Sequence, residues 1–286
     1  MSKKIVSLLL IAAMIACMAG CGKSDKKEKV TAQVIDINLT DEEYAFGVDK
    51  NQPELLEQVN AFIEEIMGNG KFEEICDHYF GDSAPVAVKS AELDLSKADK
   101  QLVVATNAAF EPFEYKNGND YYGVDMEIAA LLAEKLGMEL VISNMDFDAV
   151  CLSVGQHKCD IAMAGLTVKP DREEYVTFSK SYYTASQKLI VRSDDNTFAD
   201  CKSAEDIEKI LNGFDGKIKV GVQNGTTGAL YCTGDEDWGF AGFKFETKGY
   251  KNGSLAVQDM LNKNINYVII DSAPAKCITE AINKMR

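Results

Sequence analysis

Four short runs of this chain hold side chains of the types that grip the two poles of a small zwitterion. The first is Ala105-Thr106-Asn107-Ala108-Ala109-Phe110-Glu111-Pro112-Phe113-Glu114-Tyr115, a strand end running into an aromatic loop. The second is Ala164-Gly165-Leu166-Thr167-Val168-Lys169-Pro170-Asp171-Arg172, a loop with one guanidinium. The third, Gly221-Val222-Gln223-Asn224-Gly225-Thr226-Thr227-Gly228, turns a strand into a helix start and frees backbone N–H groups there. The fourth is Ile269-Ile270-Asp271-Ser272, a carboxylate at a strand end. An arginine answers a carboxylate with a planar fork of donors, an aspartate answers an ammonium, and an aromatic ring supplies a wall. Plainer readings exist: Arg172 in a surface ion pair with Asp171 or Glu174, Asp271 as a helix cap before Ser272 and Pro274, Phe110 and Phe113 in the core.

The elements that must position these runs follow from periodicity. From Gln101 onward short strands alternate with helices, the pattern of an α/β fold with parallel strands. Strands are predicted at 101–106, 139–143, 160–164, 187–192, 217–222 and 266–270. Helices are predicted from Asp125 as cap to Leu136, and over 147–154, 204–211, 228–232, 254–262 and 274–284. In open parallel sheets, ligands lie outside the carboxyl ends of the strands, where all four runs fall. Nearer the start, 32–38 and 44–48 read as strands, and Pro53 opens an amphipathic helix through Leu55, Val59, Phe62, Ile63 and Ile66. A second helical turn runs Phe72, Ile75, Tyr79 and Phe80. Residues 82–99, small and polar, read as a linker.

Composition excludes several classes. The net charge is -15, against a nucleic-acid backbone as partner. Two histidines, His78 and His157, and no Cys-x-x-Cys pair leave little for a zinc site or a histidine-based triad, and no phosphate-loop motif occurs. No cofactor is expected. Cys76, Cys151, Cys159, Cys201, Cys232 and Cys277 are expected to be mostly free thiols, because Cys151, Cys159 and Cys277 occupy positions suited to small buried side chains.

Residues 1–20 have the layout of an export signal: Lys3 and Lys4, an uncharged run from Ile5, then Met18-Ala19-Gly20 before Cys21. The run is shorter than the roughly 20 residues a bilayer span needs. Residues 21–29, rich in lysine, read as a solvated tether.

Ala-Gly-Cys after an apolar run resembles the lipobox of bacterial lipoproteins, which implies a lipid on Cys21 and anchoring to the outer face of the cell membrane. The stretch from Gln101 to Lys284 resembles the extracytoplasmic amino-acid-binding proteins of ABC importers, with the two-lobed type II periplasmic-binding fold. The matching runs are Asn107 to Tyr115, Gly123-Val124-Asp125, Met145-Asp146-Phe147-Asp148, Ala164-Gly165-Leu166-Thr167 with Arg172, Val176-Thr177-Phe178-Ser179, Gly225-Thr226-Thr227-Gly228 and Ile270-Asp271-Ser272.

The resemblance implies that Arg172 grips a ligand carboxylate with help from Thr167, Thr226 and Thr227. It further implies that Asp271 and the Gly165 carbonyl take the ammonium, while Phe110 and Phe147 wall the side chain and Asn107 and Gln223 sit at its polar end. With no acid at those last two places, a neutral polar side chain such as glutamine's is expected; Glu111 or Asp125 facing inward would reverse that.

The family's usual C-terminal ending is matched instead by Gln33 to Ile37, Asp41 to Val48 and Pro53 to Gly81, which implies a circularly permuted chain. Residues 30–42 would then belong to lobe 2, 43–81 to lobe 1, 82–99 to the splice, 100–190 to lobe 1 and 191–286 to lobe 2. Crossovers are expected near Lys188 to Arg192 and Tyr44 to Val48. The implied function is capture of a free amino acid for an ABC permease. A cyclohexadienyl dehydratase-like enzyme, with Glu111 as general acid, and an amino-acid-sensing module are the alternatives.

Overall fold

The computed structural model describes residues 29–286; residues 1–20, expected to be an export signal, and Cys21, the expected lipid site, lie outside the described residues. Two five-stranded sheets form the cores of two lobes. The lobe 1 sheet runs, edge to edge, Val176–Phe178, Gly47–Asp49, Ile161–Ala162, Gln101–Thr106 and Glu139–Asn144. The lobe 2 sheet runs Ala32–Val34, Gln187–Arg192, Tyr267–Asp271, Lys219–Gln223 and Glu246–Tyr250. Gln101–Thr106 pairs parallel to Glu139–Asn144, and Lys219–Gln223 parallel to Tyr267–Asp271, so their C-terminal ends deliver Asn107, Gln223 and Asp271 to the cleft side. Strands of this kind are covered on both faces and read as continuous apolar runs, as Tyr267–Asp271 does with every residue buried.

Between the lobes lies an antiparallel two-stranded ribbon, in which Tyr183, Thr184 and Ala185 face Tyr44, Glu43 and Glu42. These are the crossovers. Both precede the expected places, because the whole of Gln187–Arg192 is needed to pair with Ala32–Val34 and Tyr267–Asp271. Residues 187–190 thus join the sheet of lobe 2.

The first fifty described residues do not fold apart. Gly47–Asp49 is wholly buried inside the lobe 1 sheet, and the helix Pro53–Gly68 buries Leu55, Val59, Phe62, Ile63 and Ile66. Ala32 exchanges two hydrogen bonds with Asn283, its N–H donating to Oδ1 at 2.9 Å and its carbonyl accepting from Nδ2 at 2.8 Å, so the start and finish of the described chain lie together. Residues 82–99 run across lobe 1, where Val88 pairs with Tyr121. A hairpin ribbon, Ala109–Phe110, Glu114–Asn117 and Asp120–Tyr122, was not signalled by alternation and sets the aromatic loop. The six cysteines among the described residues are free.

Candidate functional site

Arg172 sits on a short helix, Pro170–Glu173, that follows the Thr167 loop, and is 7% exposed. Its guanidinium donates to the Thr167 carbonyl at 2.8 Å and, across the cleft, to the Gly225 carbonyl at 3.2 Å. It lies 5.2 Å from the centre of the Phe147 ring. Among the described residues no carboxylate pairs with it, so the surface ion pair with Asp171 or Glu174 does not form. A cavity of about 200 Å³ opens beside it, lined by Phe147, Cys151, Leu166, Tyr175 and Gly225 among others. A larger one, about 750 Å³, lies by Pro53 and Met138 at the other end of lobe 1, remote from these groups.

Asp271, 4% exposed, accepts from the Tyr44 hydroxyl at 2.5 Å. Burial first, then the Glu42 carboxylate beside it, pushes its carboxyl up to about 7. Glu42 accepts from Thr40 at 2.6 Å, Gln187 at 2.9 Å and Thr167 at 2.7 Å. Thr227 donates to Thr167 across the cleft at 3.1 Å. Thr167 is thus the joint between the two poles: its carbonyl holds Arg172 and its hydroxyl reaches the acid cluster around Asp271. Neither Asp271 nor Glu42 has a lysine or arginine partner among the described residues.

The remaining predicted residues divide. Phe110 is buried, and a side chain built on Gly165 (φ +54°) would meet the Phe110 ring at 3.1 Å and the Tyr44 ring at 3.3 Å, which explains the need for glycine there. Gln223 donates to Asn107 across the cleft at 3.1 Å, while the Gln223 Oε1 is left without a partner. Thr226 is engaged as the cap of the helix Thr227–Thr233, accepting from Ala229 and donating to the Gln223 carbonyl. Asp125 is no helix cap: Gly123 holds that place, and Asp125 is buried as the second residue of the helix Val124–Leu136. There it accepts from the Gly165 N–H at 2.9 Å and the Tyr182 hydroxyl at 2.6 Å, with burial pushing it up to about 7. Glu111 is exposed.

The family model for bacterial extracellular solute-binding proteins, family 3, matches residues 102–277. The chain belongs to this family. Its relatives in the family include the arginine-binding extracellular protein ArtP of Bacillus subtilis (strain 168), 34% identical over 39% of this chain and 44% of ArtP. The chain therefore spans less than half the length of that relative. The arginine-bound form of truncated ArgBP from T. maritima is similar in structure, with TM-score 0.54, 29% identity, and coverage of 66% of this chain and 82% of that one. So is the ancestral amino acid-binding protein AncCDT-1, a precursor of cyclohexadienyl dehydratase, with TM-score 0.53, 28% identity, and coverage of 66% and 76%. A two-lobed α/β fold is common to the family and this chain.

Against the family frame, sequence reasoning missed Glu42, Tyr44, Glu114, Tyr182 and Gln187. Glu114 is fully buried directly across the hairpin from Phe110, with neither carboxylate oxygen hydrogen-bonded. Burial, then Asp125 and Asp271 nearby, holds it protonated well above the usual carboxylate range. Its signal was a charged residue in phase with the apolar Phe110 across a tight hairpin, visible only once that hairpin is drawn.

Proposed function

We propose that this protein is an extracytoplasmic receptor that closes its two lobes on a free amino acid and presents it to an ABC permease. One observation carries the reading: a buried guanidinium without an anion and a buried carboxyl without a cation face the same interlobe joint. Unpaired charges of this kind are costly in a protein interior, so a zwitterion that satisfies both gains twice. Arg172 takes the ligand carboxylate; Asp271, with Tyr44 orienting it, takes the ammonium beside the Gly165 carbonyl. Phe110 and Phe147 bound the side chain. Asn107 and Gln223 hold each other in the closed form, and Thr167 and Thr227 tie the lobes; Thr226 contributes as the helix cap behind Thr227. Lipid on Cys21 keeps the receptor beside its permease.

Glutamine remains compatible with Asn107 and Gln223, but the buried, unpartnered Glu114, with Asp125 behind Gly165, favours a cationic head, and the relatives named for arginine point the same way. Among the described residues, five buried side-chain atoms lack a partner: the Oε1 atoms of Gln187 and Gln223, which can only accept, the two oxygens of Glu114, which both accept once that acid gives up its proton to a nearby cation, and the Thr106 hydroxyl. A ligand rich in donors answers that excess. Isothermal calorimetry with the twenty amino acids tests this: arginine binding with favourable heat, lost in Arg172→Ala, is expected. Turnover of prephenate or arogenate would favour the dehydratase reading, for which the exposed Glu111 is a poor general acid.

The placement of residues 30–81 supports a circular permutation. They complete both sheets, the described chain ends meet at Ala32 and Asn283, and the family model stops at residue 277 without reaching them.

A further inference from the structure

Lys169 lies between Thr167 and Arg172, yet it takes no part in the grip just described. Its side chain is 1% exposed, an extreme for lysine. The ammonium sits 3.0 Å from Asp235 Oδ2 and 3.1 Å from Asp171 Oδ1. It also lies 5.7 Å from the centre of the Trp238 ring, within reach of a cation–π attraction. Asp171 belongs to the same loop of lobe 1, but Asp235 and Trp238 belong to lobe 2.

The lobe 2 partner is a built strap. Asp235 and Phe240 pair as a bridge, the Trp238 N–H donates to Asp235 Oδ1 at 3.1 Å, and Trp238 stacks edge-on against Phe240 at 5.4 Å. Phe240 in turn packs against Tyr231, and Gly242 (φ +70°) lies so close to Thr233 that a side chain there would meet its backbone at 2.6 Å. These contacts all lie within lobe 2 and so do not depend on lobe 1.

We propose that Lys169 and the Asp235–Trp238 strap form a latch between the lobes, made when the clamp closes and broken before the ligand leaves. This rests on the clamp reading above. The loop that carries Arg172 also carries Lys169, so drawing Arg172 onto a ligand carboxylate seats the lysine against the strap in the same movement. With the lobes apart, Lys169 keeps Asp171 and regains water, so the latch costs the open form little. Once shut, the ion pair is desolvated and little screened, and it acts on release rather than capture.

Trp238 is the chain's sole tryptophan, so its emission reads the latch directly. Stopped-flow fluorescence of the purified protein, mixed with L-arginine and separately with L-glutamine, is paired with calorimetry on the same samples. The latch predicts an emission change on binding that disappears in Trp238→Phe. In Asp235→Asn the release rate should rise by about tenfold, with the association rate changed less than about twofold. The melting temperature of ligand-free Asp235→Asn should match the parent, whereas a merely structural ion pair would lower it. Binding heat with unchanged emission, or with an unaltered release rate in Asp235→Asn, overturns the latch and leaves the amino-acid reading standing. No heat with any of the twenty amino acids overturns both.

Discussion

The two ends of the cleft are built from opposite materials. At one end Arg172 is held by neutral groups, the carbonyls of Thr167 and Gly225 and the face of Phe147. At the other, Asp271 stands among further acids and phenols: Glu42, Glu114, Tyr44 and, beyond Gly165, Asp125. The guanidinium cannot lose its proton and so needs an anion from outside. Burial pushes Asp271, Glu114 and Asp125 toward their protonated forms while no cation is near. One pole is therefore fixed in charge, and the other adjusts to whether ligand is present.

Removing the fixed pole should have the largest effect. Arg172→Ala deletes one partner of a buried charge pair, a loss of about 2–5 kcal/mol, or roughly thirtyfold to several thousandfold in affinity. Arg172→Lys keeps the charge without the fork and should fall between parent and alanine. Calorimetry with arginine is the measurement. Parent-like affinity in the alanine variant would leave the ligand carboxylate without an anchor here.

The adjustable pole predicts a pH dependence of opposite sign with and without ligand. Asp271 titrates near 7 in the folded protein because it is buried beside Glu42, above its unfolded value of 3.8. The free fold binds the extra proton, so the stability Asp271 contributes is present below about pH 4 and is lost as pH rises through 7. Asp125 has the same sign. Ligand binding requires the ionised carboxylate, so affinity should drop by roughly a hundredfold between pH 8 and pH 5. Melting curves and titrations across that range check both signs; an affinity flat with pH would mean Asp271 does not meet the ammonium.

Glu114 refines the comparison with a smaller effect. Glu114→Gln keeps the shape and removes a buried, unpartnered acid, so the ligand-free protein at pH 8 should melt no lower than the parent. The preference for arginine over glutamine should shrink by about tenfold, roughly 1.4 kcal/mol, if the acid end selects a cationic head. An unchanged ratio would assign Glu114 to the fold alone.

Much of this was visible in the residues. The strand Gln101–Thr106 and the helix over Ala204–Asn212 fall where periodicity places them, and Arg172 and Asp271 stand out by type and by position at strand ends, whereas Thr167 and Gly165 enter only through the family resemblance. The acid cluster was not. Glu42 and Tyr44 reach the site from a stretch more than a hundred residues away in sequence, through a crossing ribbon whose pairing no local pattern encodes. Asp125 resembles a cap because capping is the commonest use of an aspartate before a helical run; Gly123, two residues earlier and able to adopt φ +122°, takes that place. Glu246–Tyr250 escaped notice because its half-exposed residues alternate weakly.

The smallest effect separates the lobes as scaffolds from the cleft as a site. On the helix Ala204–Asn212, Ser203 accepts from the Asp206 N–H at 3.3 Å, and Asp206 accepts from the Ser203 N–H at 3.2 Å, a reciprocal capping box. The apolar face of that helix, Ile207 and Leu211, packs into the lobe 2 core with Val220, Tyr231 and Ile269. Ser203→Ala frees one backbone donor, the Asp206 N–H, to water and should cost about 1 kcal/mol, a fall of roughly 2–4 °C in melting temperature for a chain of this size. Ile269 lies two residues before Asp271 on one strand, so a core that deforms easily would carry the disturbance to the acid end. Close-packed interiors hold position instead, and arginine affinity at pH 8 should stay within about twofold of the parent. A larger change would mean that the acid end is tuned by lobe 2 packing, and the neutral cradle of Arg172 would then be the only rigid pole.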